Sequence, residues 1–148
     1  MPSSSPRRIL YSVVISGDTR PSENLIKHAK GVDILIHEVY LPEHFDDVDS
    51  PEIAARLKAY HTSADEVGQV AAAAEVKLLV LTHVIPGDGE KTILERASKH
   101  FKGRIVVGKD LMRFAVSVSV TSVSSVSFWR ESLGLICVHL CSSVVPCL

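Results

Sequence analysis

Apolar runs alternate with segments of helical periodicity along the first 115 residues. Short stretches rich in Val, Ile and Leu, each bounded by turn or polar residues, predict buried strands at residues 9–15, 32–36, 76–81, 104–107 and 111–116. Segments with apolar residues at helical spacing predict helices at residues 21–30, 51–57, 64–74 and 89–100. Strands that alternate with helices predict an α/β fold with mostly buried strands.

Capping and breaker residues set the predicted helix boundaries. Ser63 is followed three residues later by Glu66, which is the capping-box pattern, and this predicts the start of an alanine-rich helix. Gly31 ends the helix that begins near Pro21. Residues 41–51 are acidic and contain two prolines, so this stretch predicts a loop before the next helix.

Beyond residue 115 the pattern changes. Val alternates with Ser and Thr over residues 116–127, which is compatible with a strand but low in complexity. Residues 133–148 are apolar, but they are interrupted by polar residues and are fewer than the roughly 20 that a membrane helix needs. We therefore divide the chain into a flexible N-terminus, a folded domain and a low-complexity Ser/Val-rich tail, at residues 1–8, 9–115 and 116–148.

Composition narrows the class of protein. With 46% hydrophobic and 22% charged residues, the 148-residue chain has the composition of one globular domain and not of a disordered protein. A net charge of −1 gives no overall electrostatic indication of nucleic-acid or membrane binding. We identify no signal peptide and expect a cytoplasmic protein. All three cysteines lie after residue 136 without a Cys-x-x-Cys pair, so neither a disulfide scaffold nor a cysteine zinc site is expected.

Polar residues follow three of the predicted strands. Asp18 follows the first, the pair His37 and Glu38 follows the second, and His83 follows the third, while His61 directly precedes the capped helix. Because ligands bind at the carboxyl ends of strands in open α/β sheets, these side chains are expected to converge. Imidazole nitrogen and carboxylate oxygen are ligands that zinc accepts, so the set predicts a metal centre.

Four short motifs occur in order. They are Ser-Gly-Asp-Thr, Asp-Ile-Leu-Ile-His-Glu, His-Thr-Ser and Leu-Val-Leu-Thr-His, at residues 16–19, 33–38, 61–63 and 79–83. In order and spacing they resemble the second half of the metallo-β-lactamase-fold hydrolases, above all the ribonuclease Z branch and its relatives that hydrolyse small molecules. The resemblance covers residues 9–115 and implies the C-terminal half of an αββα sandwich, followed by a tail outside the family.

The resemblance implies a role for each candidate residue. Asp18 would bridge two zinc ions and His83 would bind the second ion, so the implied cofactor is Zn²⁺. Glu38 would orient His61, and His61 would protonate the leaving oxygen. The implied reaction is zinc-dependent hydrolysis of RNA or of a small lactone or ester. Departures from the branch motifs at the Val39-Tyr40 pair and at the Thr62-Ser63 pair bear on the RNA substrate more than on the fold.

The principal zinc motif of the family, His-x-His-x-Asp-His, does not occur in the sequence. No two of the seven histidines are separated by a single residue. We therefore expect an incomplete site that binds zinc weakly and hydrolyses family substrates slowly or not at all. The competing hypothesis is a non-catalytic remnant or a half-domain, which would associate with itself or a partner through an exposed sheet edge and apolar face.

Each candidate residue also has a purely structural interpretation. Asp18 would serve only to brace a turn, and His83 would be a half-buried histidine at the end of a strand. His61 would merely precede the helix cap, and Glu38 would be a solvated residue after its strand. For His37 we favour the structural interpretation.

Overall fold

The computed structural model describes residues 11–46, 48–116 and 134–137. The predicted flexible N-terminus lies outside these residues, as does most of the predicted tail. The architecture is an α/β fold, as predicted, and its main sheet has four parallel strands in the order β1-β2-β3-β4. These strands are β1 (Val13–Ile15), β2 (Ile34–Tyr40), β3 (Leu78–Ile85) and β4 (Arg104–Val107).

Four α-helices and one 3₁₀ helix connect the strands. The α-helices are α1 (Glu23–His28), α2 (Pro51–Tyr60), α3 (Ala64–Ala74) and α4 (Glu90–His100), and the 3₁₀ helix is Pro42–Phe45. The capping box that was predicted at the start of α3 is present, because Ser63 Oγ accepts from Glu66 N and the Glu66 carboxylate accepts from Ser63 N at 2.9 Å. None of the described helices is long and apolar enough to cross a membrane.

Two predicted strand ends and one predicted loop were wrong. β2 and β3 pair in parallel, from Ile34 opposite Leu78 to Tyr40 opposite Ile85. Both strands therefore extend four residues beyond their predicted ends. Glu38 therefore lies inside β2, where its neighbours provide hydrogen bonds, and not after it. The predicted loop contains the 3₁₀ helix Pro42–Phe45, which begins at a proline suited to the first helical turn.

The sheet has a core on each face. On one face, Leu35, Leu79 and Leu81 pack with α3 and α4. On the other face, four fully or nearly fully buried residues pack with Phe114 of strand β5 (Arg113–Val116): Ile34, Ile36, Leu78 and Val80. These four residues are buried, so the predicted exposed apolar face is wrong for this part of the sheet. Strand β6 (Gly134–Cys137) pairs antiparallel with β5, although it falls in the predicted tail.

Asp33 connects the start of β2 to two neighbouring segments. Its carboxylate accepts hydrogen bonds from Ser12 N at 2.8 Å, from Ser12 Oγ at 3.1 Å and from Lys77 Nζ at 2.7 Å. Burial raises the pKa of Asp33, but the donors from Lys77 and Ser12 together outweigh it and lower the pKa below the ordinary 3.8. The carboxylate form is therefore more favourable in the folded chain than in the unfolded chain.

Replacing Asp33 with Asn is expected to lower the free energy of unfolding at pH 7 by about 1–2 kcal/mol, because hydrogen bonds to a charged acceptor are lost. Because the pKa of Asp33 is lowered on folding, its carboxylate stabilises the folded chain at pH values above the ordinary pKa of 3.8. This stabilisation is lost as the pH falls through the pKa of the folded chain. The deficit of the variant should therefore shrink in acid. Urea unfolding at pH 7 and at about pH 2 measures it, because pH 2 lies well below the ordinary pKa; the exposed Asp49→Asn is the matched control. A deficit independent of pH would contradict this account.

Candidate active site

Glu38 is the buried acidic residue at the centre of the site. Its side chain is only 1% exposed. One carboxylate oxygen, Oε1, accepts a hydrogen bond from Thr62 N at 2.7 Å, and the other, Oε2, lies 3.2 Å from His61 Nδ1. In its carboxylate form Glu38 can only accept, and His61 Nδ1 then donates to it. Glu38 thereby holds the end of α2 and the start of α3 against β2.

Backbone contacts hold the segment 61–63 beside β2. Tyr40 N donates to Thr62 O at 3.1 Å, and Tyr40 forms an isolated parallel bridge with Ser63. Thr62 is fully buried, and its Oγ1 donates to Thr19 O at 2.5 Å. The loop after β1 is thus fixed to the segment that carries His61.

Asp18 lies in that loop, directly after Gly17. Gly17 has a φ of +64°, a backbone conformation that glycine adopts without steric cost. Ser16 N donates to Ile36 O at 2.9 Å, so the ladder between β1 and β2 continues up to the turn. The turn places Asp18 at the carboxyl edge of the sheet, where its side chain is 62% exposed.

His83 reaches the same edge through a bulge in β3. Glu38 pairs with Thr82 and Val39 pairs with Val84, so His83 is an extra residue without a partner position on β2. Its φ of +43° is uncommon for a residue other than glycine. The bulge directs His83 towards the loop after β1, where its Nδ1 lies 2.9 Å from Asp18 Oδ1. Bulges commonly redirect a side chain in this way next to active sites.

The structure brings together all four predicted site residues as two carboxylate–histidine pairs. The rings of His61 and His83 have their centroids 5.7 Å apart. Donor atoms of Glu38, His61 and His83 all lie within 4.8 Å of one another, which is close enough for one metal ion. Asp18 contacts this group through His83. The set of imidazole nitrogens and carboxylate oxygens fits the ligand preference of zinc.

His37 does not join them. Successive side chains of a strand point to opposite faces, and His37 is fully buried on the face away from Glu38. Its Nδ1 donates to Glu38 O at 2.8 Å, while Nε2 has no hydrogen-bond partner among the described residues. Burial lowers the pKa of His37, so the imidazole is neutral at pH 7. These contacts agree with the structural role that we favoured for it.

The pKa of Glu38 is raised to about 7. Burial is the largest cause, and the negative charge of Asp18 adds to it. Hydrogen bonds from the backbone of Thr62 and Thr19, together with His83, act in the opposite direction but do not compensate. Near neutral pH the group therefore exchanges readily between acid and carboxylate, which is a property of many catalytic carboxyl groups.

Two aromatic residues form a wall beside His61. Phe45, from the 3₁₀ helix, stacks on Tyr40 with the ring centroids 5.1 Å apart. The His61 ring lies 6.3 Å from the Tyr40 ring and 6.4 Å from the Phe45 ring, measured between centroids. The sequence interpretation missed this wall, since it placed Phe45 in a loop.

A pocket of about 560 Å³ opens beside the site. It is lined by Asp18, Thr19, Arg20, Tyr60 and His61. Arg20 and Tyr60 were not predicted as site residues, although each is adjacent in sequence to a motif residue. Their position next to Thr19 and His61 was the only indication that the sequence offered.

Several known proteins with similar sequences are named ribonuclease Z. No family model matches the chain. The chain is 36% identical over 108 residues to ribonuclease Z of Mycobacterium tuberculosis, and the match covers 71% of the chain and 39% of that protein. It is 36% identical over 121 residues to ribonuclease Z of Methanothermobacter thermautotrophicus, and this match covers 82% of the chain and 37% of that protein.

A solved structure supports the fold. The metallo-beta-lactamase fold protein YhfI from Bacillus subtilis matches with a TM-score of 0.52 and 25% sequence identity, over 67% of this chain and 37% of that chain. The chain thus spans less than half of the length of each of these relatives. It has part of the metallo-β-lactamase fold, and it is related in sequence to ribonuclease Z.

Proposed function

We propose that the chain carries part of the active site of a zinc-dependent hydrolase that cleaves phosphodiester bonds in RNA. The observation that carries this proposal is the approach of the Asp18–His83 pair to the Glu38–His61 pair, with the two imidazole rings 5.7 Å apart. The ribonuclease Z relatives favour RNA over a lactone or another ester as the substrate.

Asp18 and His83 are the residues that would hold zinc. Both are partly exposed at the carboxyl edge of the sheet, and both offer atoms that zinc accepts. Bound zinc would lower the pKa of a coordinated water, and so supply hydroxide near neutral pH. Catalytic zinc sites usually have three protein ligands, so two ligands predict weak binding by this chain alone.

His61 would donate the proton to the leaving oxygen, and Glu38 would position His61. The Glu38 carboxylate holds Nδ1–H of His61, which leaves Nε2 of the imidazolium as the atom that donates. When the phosphorus–oxygen bond breaks, this proton would pass to the leaving oxygen, and Glu38 would stabilise the imidazolium before the transfer. Thr62 N keeps Glu38 in place, so Glu38 acts as a positioning residue.

A second arrangement uses the same residues differently. Because the donor atoms of Glu38, His61 and His83 lie within 4.8 Å of one another, these three side chains would be able to hold a single ion. His61 would then be a ligand and not an acid. The two arrangements make opposite predictions for the effect of His61 on zinc affinity.

Calorimetric titration of the 148-residue chain with zinc distinguishes them. We expect weak binding that Asp18→Ala and His83→Ala weaken at least about tenfold, because each removes one of two ligands. His61→Ala should stay within about twofold of the wild-type chain, as should the control His28→Ala, which removes an exposed histidine of α1.

Each result of the zinc titration supports one arrangement of the ligands or excludes the site. If His61→Ala weakens zinc binding as much as His83→Ala does, then Glu38, His61 and His83 hold the ion. Tight stoichiometric binding that Asp18→Ala abolishes would show that the chain holds a complete site. No effect of Asp18→Ala or His83→Ala would overturn the zinc site that we propose.

A further inference from the structure

Two side chains that line the pocket have no part in the metal or proton chemistry. Arg20 is exposed, and within the described ranges its guanidinium makes no ion pair. Tyr60 is the last residue of α2, and 63% of its surface is exposed. A guanidinium without an ion pair in the part of the chain that the structure describes and an exposed aromatic ring thus lie in the same pocket as His61.

A hydrogen bond connects the two chain segments that carry these side chains. Thr19 O accepts from Thr62 Oγ1 at 2.5 Å, which connects the residue before Arg20 to the segment that follows Tyr60. Thr19 Oγ1 in turn donates to Arg20 O at 2.9 Å. The two segments that line the pocket are therefore connected before a ligand binds, so their backbone needs little further ordering.

The chemistry of the two side chains points to a nucleotide. Guanidinium binds phosphate with charge-assisted, often bidentate hydrogen bonds, and an exposed tyrosine ring stacks on a nucleobase. A pocket of about 560 Å³ has the size of a site for a small ligand. A neutral lactone would leave Arg20 without an anionic partner.

We propose that Arg20 and Tyr60 bind one nucleotide unit of the substrate, with the phosphate at Arg20 and the base stacked on Tyr60. This inference rests on the proposed function, since it places the nucleotide beside His61. It assigns substrate recognition to residues outside the zinc and proton-transfer groups.

Titration of the 148-residue chain with adenosine 5′-monophosphate tests the proposal, with EDTA present throughout. Inorganic phosphate, adenosine and γ-butyrolactone are titrated in parallel. Adenosine 5′-monophosphate should bind more tightly than each of the other three. Arg20→Gln should weaken the binding of the nucleotide and of phosphate by about tenfold and leave adenosine unchanged. The control Arg56→Gln, which removes an exposed arginine of α2 outside the pocket, should change nothing.

The ring of Tyr60 is tested in the same way. Tyr60→Ala should weaken the binding of the nucleotide and of adenosine by about tenfold, while Tyr60→Phe, which keeps the ring, should bind as the wild-type chain does. Both side chains are exposed, so the variants should keep the wild-type circular dichroism spectrum. Loss of phosphate binding in Arg20→Gln but not in Tyr60→Ala supports the division of roles between the two side chains.

Three results would overturn the proposal: no saturable binding of the nucleotide, equal effects of Arg20→Gln and Arg56→Gln, or binding of the lactone as tight as that of the nucleotide. Because EDTA removes metal, none of these results depends on zinc. A chain that binds the nucleotide through Arg20 and Tyr60 but binds no zinc would support this inference and overturn the proposed function.

Discussion

Replacing Glu38 with Gln is expected to raise the free energy of unfolding at pH 8 by on the order of 3 kcal/mol. The pKa of Glu38 is about 7 in the folded chain, against an ordinary value of 4.5, mainly because the carboxyl group is buried. At pH 8 the folded chain therefore holds a costly buried carboxylate, and each pKa unit of this difference corresponds to about 1.4 kcal/mol. Gln is uncharged at every pH, and its Oε1 can still accept from Thr62 N.

The pH dependence has a definite sign. Between pH 4.5 and about 7 the folded chain keeps the proton of Glu38 while the unfolded chain releases it. The contribution of Glu38 to the free energy of unfolding is therefore fully present below pH 4.5 and is lost as the pH rises through about 7. The advantage of the variant should grow over this range and then stay constant. Urea unfolding in EDTA from pH 4.5 to pH 8 measures it.

The exposed Glu95→Gln on α4 is the matched control and should show no such trend. If Glu38→Gln were instead less stable than the wild-type chain at pH 8, the carboxylate would be stabilised by His61 more than it is penalised by burial. The Gln amide group would face His61 Nδ1 and could not stabilise an imidazolium. A gain in stability is thus expected to accompany a loss of activity, as is common when active sites hold unfavourable charges.

Local patterns predicted the elements of this fold better than they predicted where the strands end. The apolar runs of β2 and β3 identified both strands, and Ser63 with Glu66 identified the start of α3. Polar residues were interpreted as strand ends, because a buried strand normally lacks them. Pairing between β2 and β3 continues past those residues, and such pairing is a property of the tertiary structure.

In the site, too, local motifs predicted which residues take part, while their placement depends on the tertiary structure. Asp18, Glu38, His61 and His83 were predicted because their motifs occur in order, and the structure brings them together. The bulge that directs His83 to this edge depends on the register between two strands, and no local pattern encodes that register. The roles of the four residues stay proposals.

The contribution of Phe45 could not be predicted either. An aromatic residue in an acidic, proline-containing segment has no periodic neighbours that would indicate burial. Phe45 is nevertheless buried, because the 3₁₀ helix stacks it on Tyr40 beside His61. A wall of this kind restricts the orientation of His61, which matters for a residue that must donate a proton in a fixed direction.

His61→Ala is expected to lower turnover of an RNA phosphodiester by about 10² to 10⁴, the usual contribution of a general acid. The measurement needs a complete catalytic domain, for which the part of the M. tuberculosis ribonuclease Z outside the matched region can be joined to this chain. His28→Ala serves as the histidine control. Zinc content should stay at the level of the unmodified hybrid, since His61 is proposed to donate a proton and not to bind metal.

The choice of leaving group makes this prediction specific to proton transfer. The leaving alkoxide of RNA needs a proton as the bond breaks, whereas a nitrophenolate leaves readily without one. The deficit of His61→Ala should therefore be large for an RNA dinucleotide and small for bis(p-nitrophenyl) phosphate. Equal deficits on both substrates would mean that His61 positions the substrate or the metal. Loss of zinc together with turnover would instead assign His61 to the ion, in the arrangement with Glu38 and His83.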